Sequence, residues 1–434
     1  MKGFMIVPSF FRLLLSLILL VWLAKASLSQ PIQNLGFDPV HLSTEYHSLP
    51  FLDWSDDTAR QVVVDRKPGE YLGHPTTVLL KDGKTILAVY PKGHGRGAII
   101  MKRSRDGGKT WSERLPTPAS WETSLEVPTI HPVVDAAGKE RLIMFSGLYP
   151  ARMAVSEDQG DTWSELEPLG DWGGIVVMGD LIPLQSGKGH YMALFHDDGR
   201  FFTARGRDLV EDRKARARQP LFTLYQTFSF DGGLTWSQPH EVFASRMIHL
   251  CEPGLIRSPD GNQIAMLLRE NSRRMNSFIM FSNDEGKTWS HPRELPNSLT
   301  GDRHQAVYLP DDRLLISFRD NSPAPGRWRE LAEACSDCDP VHLALRAGTA
   351  SPTHGDWVAW LGTYKDLATY QEGQARIRFK DNTRHADCAY PALEILPDGT
   401  VVATTYGHWD PESVFPYILS VRFKMEEIDA WLKK

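Results

Sequence analysis

One eight-residue phrase occurs four times in this chain, and nothing else in it constrains the fold as tightly. It reads Ser104-Arg-Asp106-Gly-Gly108-Lys-Thr110-Trp111 first, then Ser156-Glu-Asp158-Gln-Gly160-Asp-Thr162-Trp163. It returns as Ser229-Phe-Asp231-Gly-Gly233-Leu-Thr235-Trp236 and as Ser282-Asn-Asp284-Glu-Gly286-Lys-Thr288-Trp289. A fixed phrase returning every 50 to 70 residues or so marks stacked copies of one supersecondary unit. The Asp suits a tight turn whose own N–H groups its carboxylate can accept. The Gly takes positive φ without steric cost, and Thr-Trp opens a strand. The four Asp residues therefore read as turn braces and not as catalysts.

Around each phrase the same module recurs. Its first copy has apolar runs at 76–80, 86–90 and 97–101, with Asp82-Gly83 as the turn between the first two. Equivalent strand pairs are expected at 132–134 with 141–145, 176–183 with 191–195, 254–257 with 263–268, 306–309 with 314–318, and 392–396 with 400–405. Short β-rich runs between turn signals, without long helical periodicity, predict six four-stranded antiparallel modules. Residues 322–382 read as outer strands of the fifth module plus an insertion. Residues 30–68 read as a polar lead-in, 417–424 as the closing strand and 425–432 as a short helix.

The recurring phrase is the Asp-box, and with it the chain resembles the sialidase (neuraminidase) superfamily. That resemblance implies an all-β six-bladed β-propeller occupying residues 27–434, with the boxes on the face opposite the active site. Activity has to be argued separately, because Asp-boxes also occur in propellers that only bind.

Residues 1–26 have the pattern of an export signal: Lys2 and Arg12, an apolar run at 13–23, then Ala24-Lys25-Ala26. The run is short for a membrane span, so an exported chain without a span in its mature form is expected, a retained anchor being the alternative. The net charge of −6 argues against a nucleic-acid partner, and none is expected. Cys335-Ser-Asp-Cys338 is compatible with a small disulfide, a metal or free thiols. Cys251 and Cys388, at equivalent points of two modules, are compatible with a disulfide. No ligand run predicts a metal, and no cofactor is expected.

In such a module the start of the first strand and the end of the second share one edge, opposite the Asp-box. Polar residues gather at that edge: His74, Glu126 with His131, Asp180, Glu252, Asp302-Arg303-His304, and Asp387 with Tyr390 at first-strand starts. His94 with Arg96, Arg269, Arg319, and Tyr406 with His408 stand at second-strand ends. Several arginines facing one cavity call for an anion, and a carboxylate-bearing sugar matches their forked geometry.

Sialidases pair a Tyr nucleophile with a Glu, add an acid/base Asp, and hold the substrate carboxylate with three arginines. The resemblance places Glu252 as the partner of the nucleophile and Arg269 as a carboxylate ligand, through Glu252-Pro-Gly-Leu-Ile-Arg-Ser-Pro-Asp260-Gly261 and Leu267-Leu-Arg269. Tyr390, in Ala389-Tyr390-Pro-Ala-Leu-Glu-Ile-Leu-Pro-Asp398-Gly399, becomes the nucleophile. The first-blade arginine is replaced by His74 in Gly73-His74-Pro75, and the loop expected to carry the acid/base Asp reads Pro91-Lys-Gly-His94-Gly-Arg96-Gly97. Arg96 then stands in for the missing guanidinium. His94, Asp387, or an acid of another blade (Asp180, Asp198) supplies the proton, and Arg303 or Arg319 is the further arginine. His304 and Tyr406 complete the expected substrate contacts. The expected ligand is a sialylated or otherwise acidic glycan, cleaved with retention through Tyr390 or with inversion through activated water.

Overall fold

The computed structural model describes residues 49–199, 221–273, 275–321 and 351–434. The expected export signal and the Cys335–Cys338 pair lie outside them.

Six small sheets form the molecule. Blade I is Thr76–Leu79, Ile86–Pro91 and Ile99–Ser104; blade II is Thr129–Val134, Glu140–Ser146, Arg152–Ser156 and Glu167–Pro168. Blade III is Ile175–Pro183, Tyr191–Asp197, Phe222–Ser229 and His240–Ser245; blade IV is Leu250–Arg257, Ile264–Glu270, Phe278–Ser282 and Arg293–Glu294. Blade V is Gly301–Tyr308, Leu314–Asp320, Trp357–Gly362 and Ala375–Lys380; blade VI begins with Ala392–Ile395, Val401–Gly407 and Tyr417–Phe423. The first strand of each blade lies against the first strand of the next, and blade VI returns to blade I, so the ring is closed. This is a six-bladed β-propeller, and the α-helix Met425–Leu432 follows its last strand.

The blades are not identical. In blade I the place of the fourth strand is taken by 112–115, where Ser112 N donates to Arg103 O and Leu115 N to Met101 O, both at 2.8 Å. Blade V gains a fifth strand, Phe51–Asp53, parallel to Ala375–Lys380. The polar lead-in expected at 30–68 is corrected here, because it holds two strands. The ring is joined by Gln61–Asp65, antiparallel to Tyr417–Phe423, and the latter is the third strand of blade VI and not the closure.

Second strands lie between neighbours on both faces, which is why Ile86-Leu-Ala-Val-Tyr90 reads as an unbroken apolar run and is wholly buried. Between blades V and VI, Trp357, Ala359, Leu361, Ile377 and Phe379 meet Val401, Ala403, Leu419, Val421 and Phe423 in one apolar layer. Each Asp-box closes in the same way. Asp106 Oδ1 accepts Lys109 N (3.0 Å) and Thr110 N (2.9 Å), Oδ2 accepts Thr110 Oγ1 (2.6 Å), and Ser104 Oγ accepts Gly108 N (2.8 Å). The turn also packs on the preceding blade: at Gly160 of blade II (φ +84°) a Cβ would meet Leu87 Cδ1 of blade I at 2.3 Å, and glycine takes this conformation without strain.

Candidate active site

At the edge opposite the boxes, the inner strands break register as they start. Between Cys251 and Gly254 and between Asp302 and Gln305 the ladder skips, as it does between Ile175 and Asp180. At these starts Glu252 (φ +52°), Arg303 (φ +53°) and Met178 (φ +55°) occupy the left-handed region, as do His74 and Ala389 (both φ +53°). For non-glycine residues this conformation costs on the order of 1–3 kcal/mol each. A bulge turns a side chain that regular alternation would bury in a blade toward the centre of the ring.

Two clusters meet there. In the first, Tyr390 Oη donates to Glu252 Oε1, while Arg269 Nη1 reaches the same carboxylate oxygen at 2.8 Å and Tyr390 Oη at 3.3 Å. Burial pushes the Glu252 carboxyl upward, but the Arg269 guanidinium outweighs it and keeps the group ionised. Burial, then the charge on Glu252, pushes the Tyr390 phenol well above its ordinary range, so the resting pair is a neutral phenol on a carboxylate. Glu252 Oε2 is buried with no hydrogen-bond partner among the described residues, a feature buried carboxylates rarely show away from functional sites.

Behind this pair lies Asp302, completely buried. Arg269 Nε lies 3.2 Å from its Oδ1; Arg273 contacts both oxygens, with Nη2 at 2.8 Å; Arg319 Nε donates at 2.9 Å, and Asn321 Nδ2 also donates. Burial works against the charge, but three guanidiniums hold the carboxyl well below its usual range.

The second cluster centres on Asp387. Its Oδ1 accepts Tyr71 Oη at 2.7 Å and Tyr406 Oη at 3.2 Å, and His94 Nδ1 lies 3.2 Å away. The hydrogen bond to Asp387 raises His94 above its ordinary value, although partial burial opposes it. His74, packed edge-on against Tyr390 (ring centroids 4.6 Å apart) and 3.0 Å from Tyr406 Oη, is pushed down to about 3 by burial and stands as neutral imidazole. One ligand atom each from His74, His94 and Asp387 lie within 4.8 Å of one another, as do atoms of Asp356, Asp381 and His385, so either trio could converge on a cation. In the first trio Tyr71 Oη bridges His94 and Asp387, 2.7 Å from each.

The expected site residues separate accordingly. Glu252, Arg269, Arg319 and Tyr390 come together, and His74, His94, Asp387 and Tyr406 sit beside them. Arg303 is buried with its Cζ 5.8 Å from the Tyr390 ring, lines one cavity with His74, His131, Asp180 and Tyr390, and its Nη1 has no hydrogen-bond partner among the described residues. Asp180 is occupied by the backbone N–H groups of Leu181 (2.8 Å) and Leu255 (2.7 Å). Two expectations need correction. His304, the residue after the Arg303 bulge, turns into blade V: its ring lies 5.0 Å from that of Phe318 and Nε2 pairs with Leu299 O at 2.8 Å. Arg96 is exposed on its loop and joins no ion pair among the described residues. The disulfide considered for Cys251 and Cys388 is also absent, since both are buried free thiols.

A family model described as a BNR repeat-like domain matches residues 150–402, more than half of the chain. The chain belongs to that family. The BNR/Asp-box repeat also matches this BNR repeat-like chain at residues 102–113. A Dyadobacter fermentans protein of unknown function is similar in structure, with 16% identity, a TM-score of 0.58, and coverage of 84% of this chain and 97% of its own. The α-L-arabinofuranosidase Arb93A of Fusarium graminearum gives 12% identity, a TM-score of 0.55, and coverage of 85% and 99%. The NanB sialidase of Streptococcus pneumoniae gives 12%, 0.54, and 86% and 73%. Likeness at such identities shows the fold. No curated protein sequence matches the chain. No helix among the described residues is long and apolar enough to cross a membrane.

Sequence reasoning missed Tyr71, Arg273 and Asn321, and took Asp302 as a rim residue only. Tyr71 stands three positions before His74 and Arg273 four after Arg269. Proximity to residues already singled out was the one signal that could have found them.

Proposed function

We propose that this member of the BNR repeat-like family is an exo-acting glycoside hydrolase that removes terminal sialic acid, or a related acidic sugar, from glycoconjugates. The observation that carries the reading is the contact of Tyr390 Oη with the ionised Glu252 carboxylate beside Arg269. A neutral phenol can approach an anionic sugar without charge repulsion. As its oxygen bonds to the anomeric carbon, its proton passes to Glu252. His94, held by Asp387, protonates the departing glycosidic oxygen and then takes a proton from the water that releases the sugar. Retention of configuration follows. The solved neighbours that are named as a sialidase and an arabinofuranosidase support glycoside chemistry on this fold, without deciding the sugar. Residues 1–26 fit export of such an enzyme to where glycoconjugates are met.

A propeller that binds acidic glycans without cleaving them is the second reading, favoured by the loop at 92–98, which carries no carboxyl group. Aryl sialosides and aryl uronides separate the two. Release of the aglycone, abolished by Tyr390→Phe and by Glu252→Gln, is the expected result; tight binding with no release from any member of the panel overturns hydrolysis.

A further inference from the structure

We infer that the cavity at the axis of the ring is a site for a small monovalent anion of the halide class, taken by the guanidinium of Arg303 together with the imidazole of His131. The inference goes beyond the reaction proposed above and needs no sugar. First strands of five blades wall this cavity of about 220 Å³: Thr76 of blade I, His131 of blade II, Asp180 of blade III, Arg303 of blade V and Glu394 of blade VI all line it. A volume of that size accepts an ion with part of its water shell, since a water occupies roughly 30 Å³ in the liquid.

Arg303 is only 7% exposed, and a guanidinium keeps its charge at every ordinary pH. Its buried Nη1 has no hydrogen-bond partner, and no carboxylate forms an ion pair with it, among the described residues. Arg269, Arg273 and Arg319, by contrast, share Asp302. A charge buried without a counter-charge is strongly unfavourable, so the cavity calls for an anion. The two carboxyls in its wall are engaged elsewhere: Asp180 accepts Leu181 N at 2.8 Å and Leu255 N at 2.7 Å, and Glu394 accepts Thr77 Oγ1 at 2.6 Å. Burial pushes them up to about 6 and about 7, so this space resists more negative charge than Arg303 can balance, and a divalent anion fits it poorly. His131 adds a second donor. Burial, then the charge on Arg303, pushes its imidazole down to about 3, so the ring is neutral, and its buried Nε2 has no partner among the described residues. A charged N–H and a ring N–H around one cavity suit a halide, which accepts hydrogen bonds from any direction. The ion bridges blades II and V across the axis.

Bromide substitutes for chloride and scatters anomalously, so crystals of the full chain grown in sodium bromide test the site directly. The expected result is an anomalous peak in the cavity against Arg303 and His131; a cavity holding water alone overturns the inference. In solution, chloride at constant ionic strength, balanced by a bulky sulfonate, should raise Tm by roughly 3 °C once it exceeds its Kd about 100-fold. Arg303→Met should abolish this response and, in chloride-free buffer, unfold at a temperature no lower than the wild type, because it removes an unpaired buried charge. Arg96→Gln, at an exposed arginine, should respond as the wild type does. An equal response in Arg303→Met marks a general salt effect and overturns the inference. Displacement of the bromide by the methyl glycoside of sialic acid also overturns it, assigning Arg303 to the sugar and leaving the acidic-sugar reading standing.

Discussion

The box turns and the mouth lie at opposite edges of the same sheets, and they are held by opposite kinds of contact. Asp106, Asp158, Asp231 and Asp284 each brace residues at most four positions away, at the surface, through the same bonds repeated from copy to copy. At the mouth the partners are distant in sequence and different in every blade. Tyr390 meets Glu252 across 138 residues, Tyr71 meets Asp387 across 316, and His74 meets Tyr406 across 332. Repetition at one edge builds the ring. Departure from repetition at the other, maintained at the cost of strained backbone and buried charge, is where chemistry is expected.

The contrast can be broken by substitution, most severely at the hub of the mouth. Asp302→Ala leaves three guanidiniums without their shared counter-charge, and breaking a buried pair in this way costs about 3–5 kcal/mol, read as a lower denaturant midpoint. Tyr390→Phe should leave that midpoint nearly unchanged while abolishing turnover of whichever acidic glycoside is cleaved, because the nucleophilic oxygen is gone. Asp158→Ala at a box should do the reverse. Loss of a local brace of this kind costs about 1 kcal/mol, by analogy with a helix cap, and steady-state rates should be unaltered. If the box variant loses activity in step with the mouth variants, the separation of the two edges is wrong.

The smallest effect is on pH. Asp387 raises His94 above 6.5, and the acid step needs protonated His94, so kcat/KM should fall on the alkaline side as pH rises through that raised value. Asp387→Asn should shift this limb toward lower pH. The stability linked to the pair has the same sign: it is fully present below 6.5 and is lost as pH rises through the folded value. Because the His94 side chain is 69% exposed, that contribution is small and the rate profile is the sharper measurement.

The edge made of local contacts was readable from the sequence, and so were the blade strands, since turn chemistry and apolar runs are written in adjacent residues. Gln61–Asp65 escaped notice because a run of three valines inside a polar stretch is short, and its partner Tyr417–Phe423 lies at the far end of the chain. Glu252, Arg269 and Tyr390 stood out through motifs. Arg273 and Tyr71 had none, and their places depend on where loops of separate blades converge. His304 was misplaced for a related reason: nothing in the residue types announces that Arg303 adopts positive φ, so the alternation that assigns neighbours to opposite faces cannot be read through the bulge.

The arrangement of Tyr390, Glu252 and His94 is tested most directly by proton NMR of the sugar first released from an aryl glycoside of the cleaved acidic sugar. Attack by the Tyr390 phenol predicts that the anomer released before mutarotation has the configuration of the substrate. Release of the inverted anomer would mean that water, and not Tyr390, is the nucleophile, and would contradict the account.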